Sequence, residues 1–208
     1  MKTSCQHLHF QASKLPRLSQ ELIGTTLPTN GLYFVFEKGE FSHSEERIVR
    51  IGTHTGEGNL QKRIREHLYT PNKDRSVFRK HIGRCILAKR NDPFLEHWEK
   101  DLTSTRAREK HQHLIDFDIQ AHIEDEVTAY ITACMSFSVL KIDQKQQRLS
   151  AEEALLSTLA QCPDCHASRH WLGRFHPRQT FRGLGLWNVQ GLCGEVISVS
   201  GVSNIFGA

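Results

Sequence analysis

The sequence predicts an α+β domain, a β-sheet with flanking helices. Three short runs rich in aromatic and β-branched residues read as strands, at 32–37, 47–53 and 135–142. Apolar residues recur at helical spacing in LQKRIREHL (60–68) and SAEEALLSTLAQ (150–161). Gly- and Pro-bearing loops separate these segments, and no run approaches the ~18 apolar residues of a membrane span.

In chain order, residues 1–28 form a polar N-terminal extension, in which Ser19 through Ile23 suits one or two helical turns. Pro28-Thr29-Asn30-Gly31 is a turn signal before the strand LYFVFE. Lys38-Gly39-Glu40 and the polar run to Ser44 are expected to turn the chain into RIVRIGT. The two strands form an antiparallel hairpin, with Ile48, Arg50 and Gly52 expected on one face of the second. THTGEGN (53–59) is a loop whose Asn59 is expected to cap the helix 60–68. SVFRKHIGRCILA (76–88) reads as a helix despite Gly83. Residues 90–130, rich in charge and His, are expected to hold one or two exposed helices as an insertion. After the third strand and the helix 150–161 comes a Pro/Gly-punctuated stretch to 185. The main domain is expected over 29–190, and the tail 191–208 has room for one strand.

A chain of 208 residues with 38% hydrophobic and 24% charged residues suits one domain with a real core. The N-terminus lacks the apolar core of a secretory signal, so a cytoplasmic location and six free thiols are expected. Net charge is only +4, but residues 45–90 carry twelve Lys or Arg against five Asp or Glu. That local excess suits a phosphate-binding face, or equally a solvated one.

Two helices carry candidate chemistry. Arg63 and His67 are four apart, beside the stripe Leu60, Ile64 and Leu68, so both can border a cleft. An Arg fork presents paired donors suited to a phosphate. On the later helix, Ser150 and Glu153 have the spacing of a capping box. Glu152 has no such duty and shares its side with Leu155, Leu156 and Leu159. An inward carboxylate is costly unless it is paired or holds a metal.

GLY (31–33), RIG (50–52), LQKRIREH (60–67), AEEALL (151–156) and GLWN (185–188) together resemble the GIY-YIG nuclease family. The resemblance spans roughly 30–190 and implies a small sandwich: a three-stranded antiparallel sheet flanked by helices. It implies cleavage of a DNA phosphodiester with one divalent ion, Mg²⁺ or Mn²⁺. Carried over, Tyr33 is the general base or water-orienting group, Glu152 the sole protein metal ligand and Arg63 the phosphate-stabilising group. Asn188 matches the late Asn that braces the site. His67 stands at the Arg-x-x-x-His spacing of the family's homing endonucleases. His54 follows Gly52 where some relatives place a basic residue. Arg50 replaces the second signature Tyr, and it and the Gly52 backbone are expected to border the cleft. A catalytically inactive nucleic-acid-binding module of the same fold is the alternative. One site per chain implies a homodimer, or two visits, for double-strand cutting.

CPDCH (162–166) carries a C-x-x-C, but zinc would need two more ligands, with Cys134, Cys193, His170 and His176 available. A loop with reduced thiols is expected instead. HLHF (7–10) and HQH (111–113) are expected to be solvated, and Trp171 to anchor its loop.

Overall fold

A three-stranded antiparallel sheet, in the order β2-β1-β3, separates two helical layers. The computed structural model describes residues 3–18 and 27–207; the turns expected at Ser19–Ile23 lie outside them. The strands are β1 (Gly31–Ser42), β2 (Glu45–Gly52) and β3 (Met135–Lys141). Helices are α1 (Ser4–Ser13), α2 (Leu60–Leu68), α3 (Val77–Lys89), α4 (Leu95–Trp98), α5 (Thr105–His111), α6 (Phe117–Cys134), α7 (Lys145–Ala160), α8 (Gln179–Leu184) and α9 (Val199–Phe206). Alternation along β1 divides the core. Leu32, Phe34 and Phe36 pack with α1, α7 and α9 on one face. Tyr33 and Val35 pack on the other with α2, α3, α6 and the segment that carries Trp171, Phe181 and Trp187.

The hairpin differs from its sequence expectation. Lys38–Glu40 do not turn; β1 runs on to Ser42, and the turn is His43-Ser44, both at positive φ. Two residues at positive φ fit a tight hairpin turn, because their twist matches that of the flanking strands. A bulge also breaks the alternation of β2. Val35 faces Arg50 and Phe36 faces Ile48, which leaves Val49 unpaired. Ile48 therefore joins the opposite face from Val49, instead of sharing one with Arg50 and Gly52.

Other elements also depart from expectation. Asn59 occupies the N-cap position of α2, but its side-chain amide donates to the Thr55 carbonyl at 3.0 Å instead of capping. The insertion is not all exposed, since α6 buries Ile123, Val127 and Ile131, four residues apart. The charges between them mask that stripe in the sequence. The strand expected in the tail is helix α9, whose Val202 packs in the α1/α7 layer. His9, expected in solvent, is fully buried on α1.

Charge is buried in this core, and each group has partners. Arg47 donates to Glu40 Oε2 at 2.6 and 3.1 Å and to the Gly185 carbonyl. Arg79 donates twice to Glu124 Oε2, at 2.8 and 2.9 Å. Glu37 accepts from the Trp171 and Trp187 indoles, at 3.2 and 2.8 Å, and from the Tyr130 hydroxyl. Trp171 thus anchors its loop. The basic excess at 45–90 is therefore partly internal, because Arg47, Lys73, Arg79 and Arg84 are all buried.

Gly83 sits mid-helix, where Ala would ordinarily be better by about 1 kcal/mol. A Cβ there would lie 2.3 Å from Cζ2 of the buried Trp98. Gly83→Ala is therefore expected to destabilise by about 1–3 kcal/mol in urea unfolding. A stabilised variant would refute this account of the contact.

Four buried histidines are held neutral. Burial, then nearby Arg charge, pushes the pKa of His67 well below its usual range. His81 is pushed down to about 2 and His176 to about 4, again by burial first and Arg84 second. His54 is lowered by burial and by Arg148. All four take up protons near pH ~6.5 once unfolded. Their stabilisation is complete above that pH and is lost as pH falls through it towards the folded values. The urea midpoint is expected to drop between about pH 7 and about pH 5, ahead of most carboxylate titration. A flat midpoint across that window would contradict it.

Candidate active site

Both helical layers converge at the end of β2. There a cleft of about 540 Å³ is lined by Arg50, Arg63, Glu152, Glu153, Trp187 and Asn188, among others. Arg50 comes from β2, Arg63 from α2 and the two carboxylates from α7.

Beneath the cleft, Tyr33 on β1 faces Gly52 on β2. A Cβ on Gly52 would fall 2.1 Å from the Tyr33 hydroxyl oxygen, so only glycine admits the ring. Tyr33 is 1% exposed, and its oxygen meets two neighbours. Arg50 Nε donates to it at 3.2 Å, and His67 Nε2 lies 2.8 Å away. His67 Nδ1 is 2.7 Å from Ser76 Oγ, which caps α3 by accepting the Arg79 N–H. One His67 tautomer closes the chain as Tyr33 O–H to Nε2 and Nδ1–H to Ser76; the other reverses both bonds. Either way, the neutral ring uses both nitrogens.

Arg50 is fixed by a second bond, from Nη1 to the Trp187 carbonyl at 2.8 Å. Trp187 N–H donates to the Val49 carbonyl at 2.8 Å. Asn188 completes this zipper: its amide donates to the Ile51 carbonyl at 2.8 Å and its oxygen accepts Ile51 N–H at 3.2 Å. The segment thereby pairs with the free edge of β2 and forms the cleft wall. His54 stands apart under the following loop. It donates Nδ1–H to the Gly56 carbonyl at 2.9 Å and accepts from Gly31 N–H at 3.4 Å.

Glu152 is half-buried and Glu153 exposed. The capping expected of Ser150 and Glu153 is absent because α7 begins five residues earlier, at Lys145, which puts Ser150 inside the helix. Burial raises the Glu152 pKa; Arg50, a hydrogen bond from the Thr53 amide and Arg63 oppose that without cancelling it. Arg63 is partly exposed at the rim, donating to Glu66 at 3.1 Å and to the Arg75 carbonyl at 3.0 Å. Lys62, Arg65 and Arg75 are exposed.

The structure therefore gathers Tyr33, Arg50, Gly52 and His67 into one bonded cluster, with Arg63, Glu152 and Asn188 around the cleft above it. Sequence reasoning missed Ser76 as the partner of His67 and the Trp187 carbonyl as the anchor of Arg50. Ser76 opens a helix, a position that favours Ser, and that is the one signal it gave. A backbone carbonyl gives none.

The GIY-YIG domain family model matches residues 5–196. No curated protein and no solved structure matches the chain. With the match spanning nearly the whole length, and with the three-stranded sheet and its helices in place, the chain belongs to the GIY-YIG family.

Proposed function

We propose that the protein is a divalent-metal-dependent endonuclease that hydrolyses DNA phosphodiesters in the cleft at the end of β2. The observation that carries this reading is the Glu152 carboxylate, half-buried at the cleft with its charge only partly compensated. A hard, oxygen-binding cation would relieve it. The donor set fits Mg²⁺ or Mn²⁺, which accept one or two carboxylates and fill their shells with water and substrate phosphate. Glu152 would hold the ion; bound there, it would supply a Lewis acid and lower the pKa of a water.

The protein groups divide the remaining work. Arg63 and Arg50 bracket the cleft and present guanidinium donors to the scissile phosphate, where charge develops during attack. Tyr33 orients the nucleophilic water or takes its proton, and neutral His67 is the acceptor at 2.8 Å to which the phenol can pass its own. Asn188 holds β2 and so fixes Arg50. Gly52 leaves room for the Tyr33 ring, and His54 shapes the adjoining loop. Exposed Lys62, Arg65 and Arg75 extend the cationic surface for flanking DNA phosphates. Double-strand cutting would take a homodimer or two visits, and the cytoplasm, where DNA and Mg²⁺ meet, suits the activity.

One observation favours a second reading, a nucleic-acid-binding module without catalysis. Arg50 stands over Tyr33, which is 1% exposed, so a phosphate must draw Arg50 aside before the hydroxyl meets water.

Glu152→Gln is expected to lower Mn²⁺-dependent nicking of supercoiled plasmid by about 10³-fold or more, and Tyr33→Phe by about 10²-fold or more. Glu153→Gln retains activity. Because burial raises the Glu152 pKa, its ionised form destabilises the fold above the unfolded value near ~4.3. Glu152→Gln should therefore melt at or above wild type at neutral pH, with the advantage fading in acid. No nicking by wild type, with equal salt-sensitive DNA binding by all variants, would favour the inactive module. Full activity in Glu152→Gln would remove the metal assignment.

A further inference from the structure

The side chains left unexplained by the cleft gather at the opposite end of the hairpin. Cys5 and His9 lie one helical turn apart on α1, and His43 is at the hairpin tip. Cys162 and Cys165 follow α7. The ligand atoms of Cys5, His9 and His43 lie within 4.8 Å of one another. His43 Nε2 is 3.5 Å from Cys162 Sγ, and His9 Nε2 is 3.9 Å from Cys165 Sγ. The Cys5 thiol is an electrostatic neighbour of both Cys162 and Cys165. Zn–S and Zn–N bonds of about 2.3 and 2.0 Å in a tetrahedron set neighbouring donors about 3.5–3.8 Å apart. The two His–Cys spacings, 3.5 and 3.9 Å, are close to those.

We propose that Cys5, Cys162 and Cys165, with an imidazole nitrogen from His9 or His43, form a structural zinc site. The two ligands that the C-x-x-C lacked in sequence come from the N-terminal helix, with His43 of the hairpin tip as the alternative imidazole, far away along the chain. Cys134, Cys193, His170 and His176 are not needed; His176 instead lies 2.9 Å from His81.

Local geometry supports this assignment. His9 donates Nδ1–H to the Cys5 carbonyl at 2.9 Å, which leaves the Nε2 lone pair free on the side of Cys165 Sγ, 3.9 Å away. That is the backbone bond by which metal-binding histidines are commonly oriented. His43, at the tip of the tight hairpin turn, sets its Nε2 beside Cys162. Cys165 N–H donates to the Cys162 carbonyl at 3.4 Å, a tight turn that keeps the two cysteines close. Sulfur with imidazole selects zinc over the hard cations that suit the cleft. Three closed-in thiolates and an imidazole leave no open position, as in a structural site.

The site would pin α1 to the start of the loop after α7, and with His43 as the imidazole also the β1–β2 turn, segments that the sheet alone does not join. It stands independently of the nuclease reading, and its test uses no activity.

The full chain, expressed with zinc supplied, is measured for metal content by mass spectrometry. About one zinc per chain is expected, and exchange with Co²⁺ should give thiolate-to-cobalt charge transfer and tetrahedral d–d bands. A Cys162→Ser/Cys165→Ser double variant should lose the metal, whereas Cys134→Ser and Cys193→Ser should keep it. Either His9→Ala or His43→Ala should weaken zinc binding about tenfold or more. Should the double variant not fold, alkylation of wild type gives an independent reading. Cys5, Cys162 and Cys165 are protected until a chelator is added, while exposed Cys193 reacts throughout. A metal-free chain that takes up neither Zn²⁺ nor Co²⁺ would overturn the site. So would a disulfide among these cysteines, metal retained in the folded double variant, or unchanged affinity in both histidine variants.

Discussion

The Tyr33 ring lies against the bare Cα of Gly52, and the cleft is organised outward from that contact. With a Cβ on Gly52 the ring would have to withdraw, and its oxygen would leave both Arg50 and His67. The bulge at Val49 matters for the same reason. It keeps Arg50 in register with Val35, on the same side as Tyr33, while Ile48 and Ile51 stay in the opposite core. Without the extra residue, a strand that must bury Ile48 would turn Arg50 away from Tyr33, because one residue of slip exchanges the faces of a strand. The free edge of β2 would still be open to shift. The Trp187–Asn188 segment closes it with three hydrogen bonds to Val49 and Ile51, and Trp187 then holds Arg50 as well.

Around this cluster the core is unusually polar. Arg47–Glu40 and Arg79–Glu124 are fully desolvated pairs, and Glu37 is a buried carboxylate served by three neutral donors. Such groups cost more to bury than apolar residues of the same volume, so they are poor evidence of extra stability. What they do here is fix register. Glu37 ties β1 to Trp171, Trp187 and Tyr130, from three different parts of the chain. Arg79 ties α3 to α6, and through Ser76 the start of the same helix sets the His67 ring. Breaking one partner would strand a buried charge, which penalises alternative packings more than the native one.

Much of this was legible in the sequence, and the misses have physical causes. The strands at 32–37, 47–53 and 135–142 showed because β-branched and aromatic residues alternate there. The helices 60–68 and 150–161 showed through their Leu and Ile spacing. Glu152 stood out as a carboxylate among leucines. Its neighbour misled, since Ser150 has the spacing of a cap but lies inside a helix whose actual N-terminus, at Gln144, makes no side-chain cap. A bulge leaves no mark in composition, so the face of Ile48 could not be read. The α6 stripe was diluted by surrounding charge. The Cys–His cluster was hidden for a different reason: its members are separated by 34 residues in one case and over a hundred in another. Only the packing of α1 and the end of α7 about the hairpin brings them together.

That cluster and the cleft lie at opposite ends of the same strand. β2 runs from the hairpin tip at Glu45 to Gly52, about 25 Å at the rise of a strand, so the two sites do not share ligands. They do share α7. Glu152 and Cys162 are ten residues apart, about 15 Å along a helix axis. At its other end, Arg148 is buried and donates to the Ile142 and Asp143 carbonyls, at 3.3 and 2.5 Å, which anchors the helix to the end of β3. The leucine face of α7 resists rotation, but apolar packing constrains sliding along the axis less strictly than directed bonds do. On the proposed function, a carboxylate that must hold a metal ion in place beside a phosphate depends on that axial position. A metal clamp just past the C-terminus of α7, with Arg148 near its N-terminus, would fix it from both sides. On this argument the proposed zinc site, at the far end of the helix, would be part of what aims Glu152.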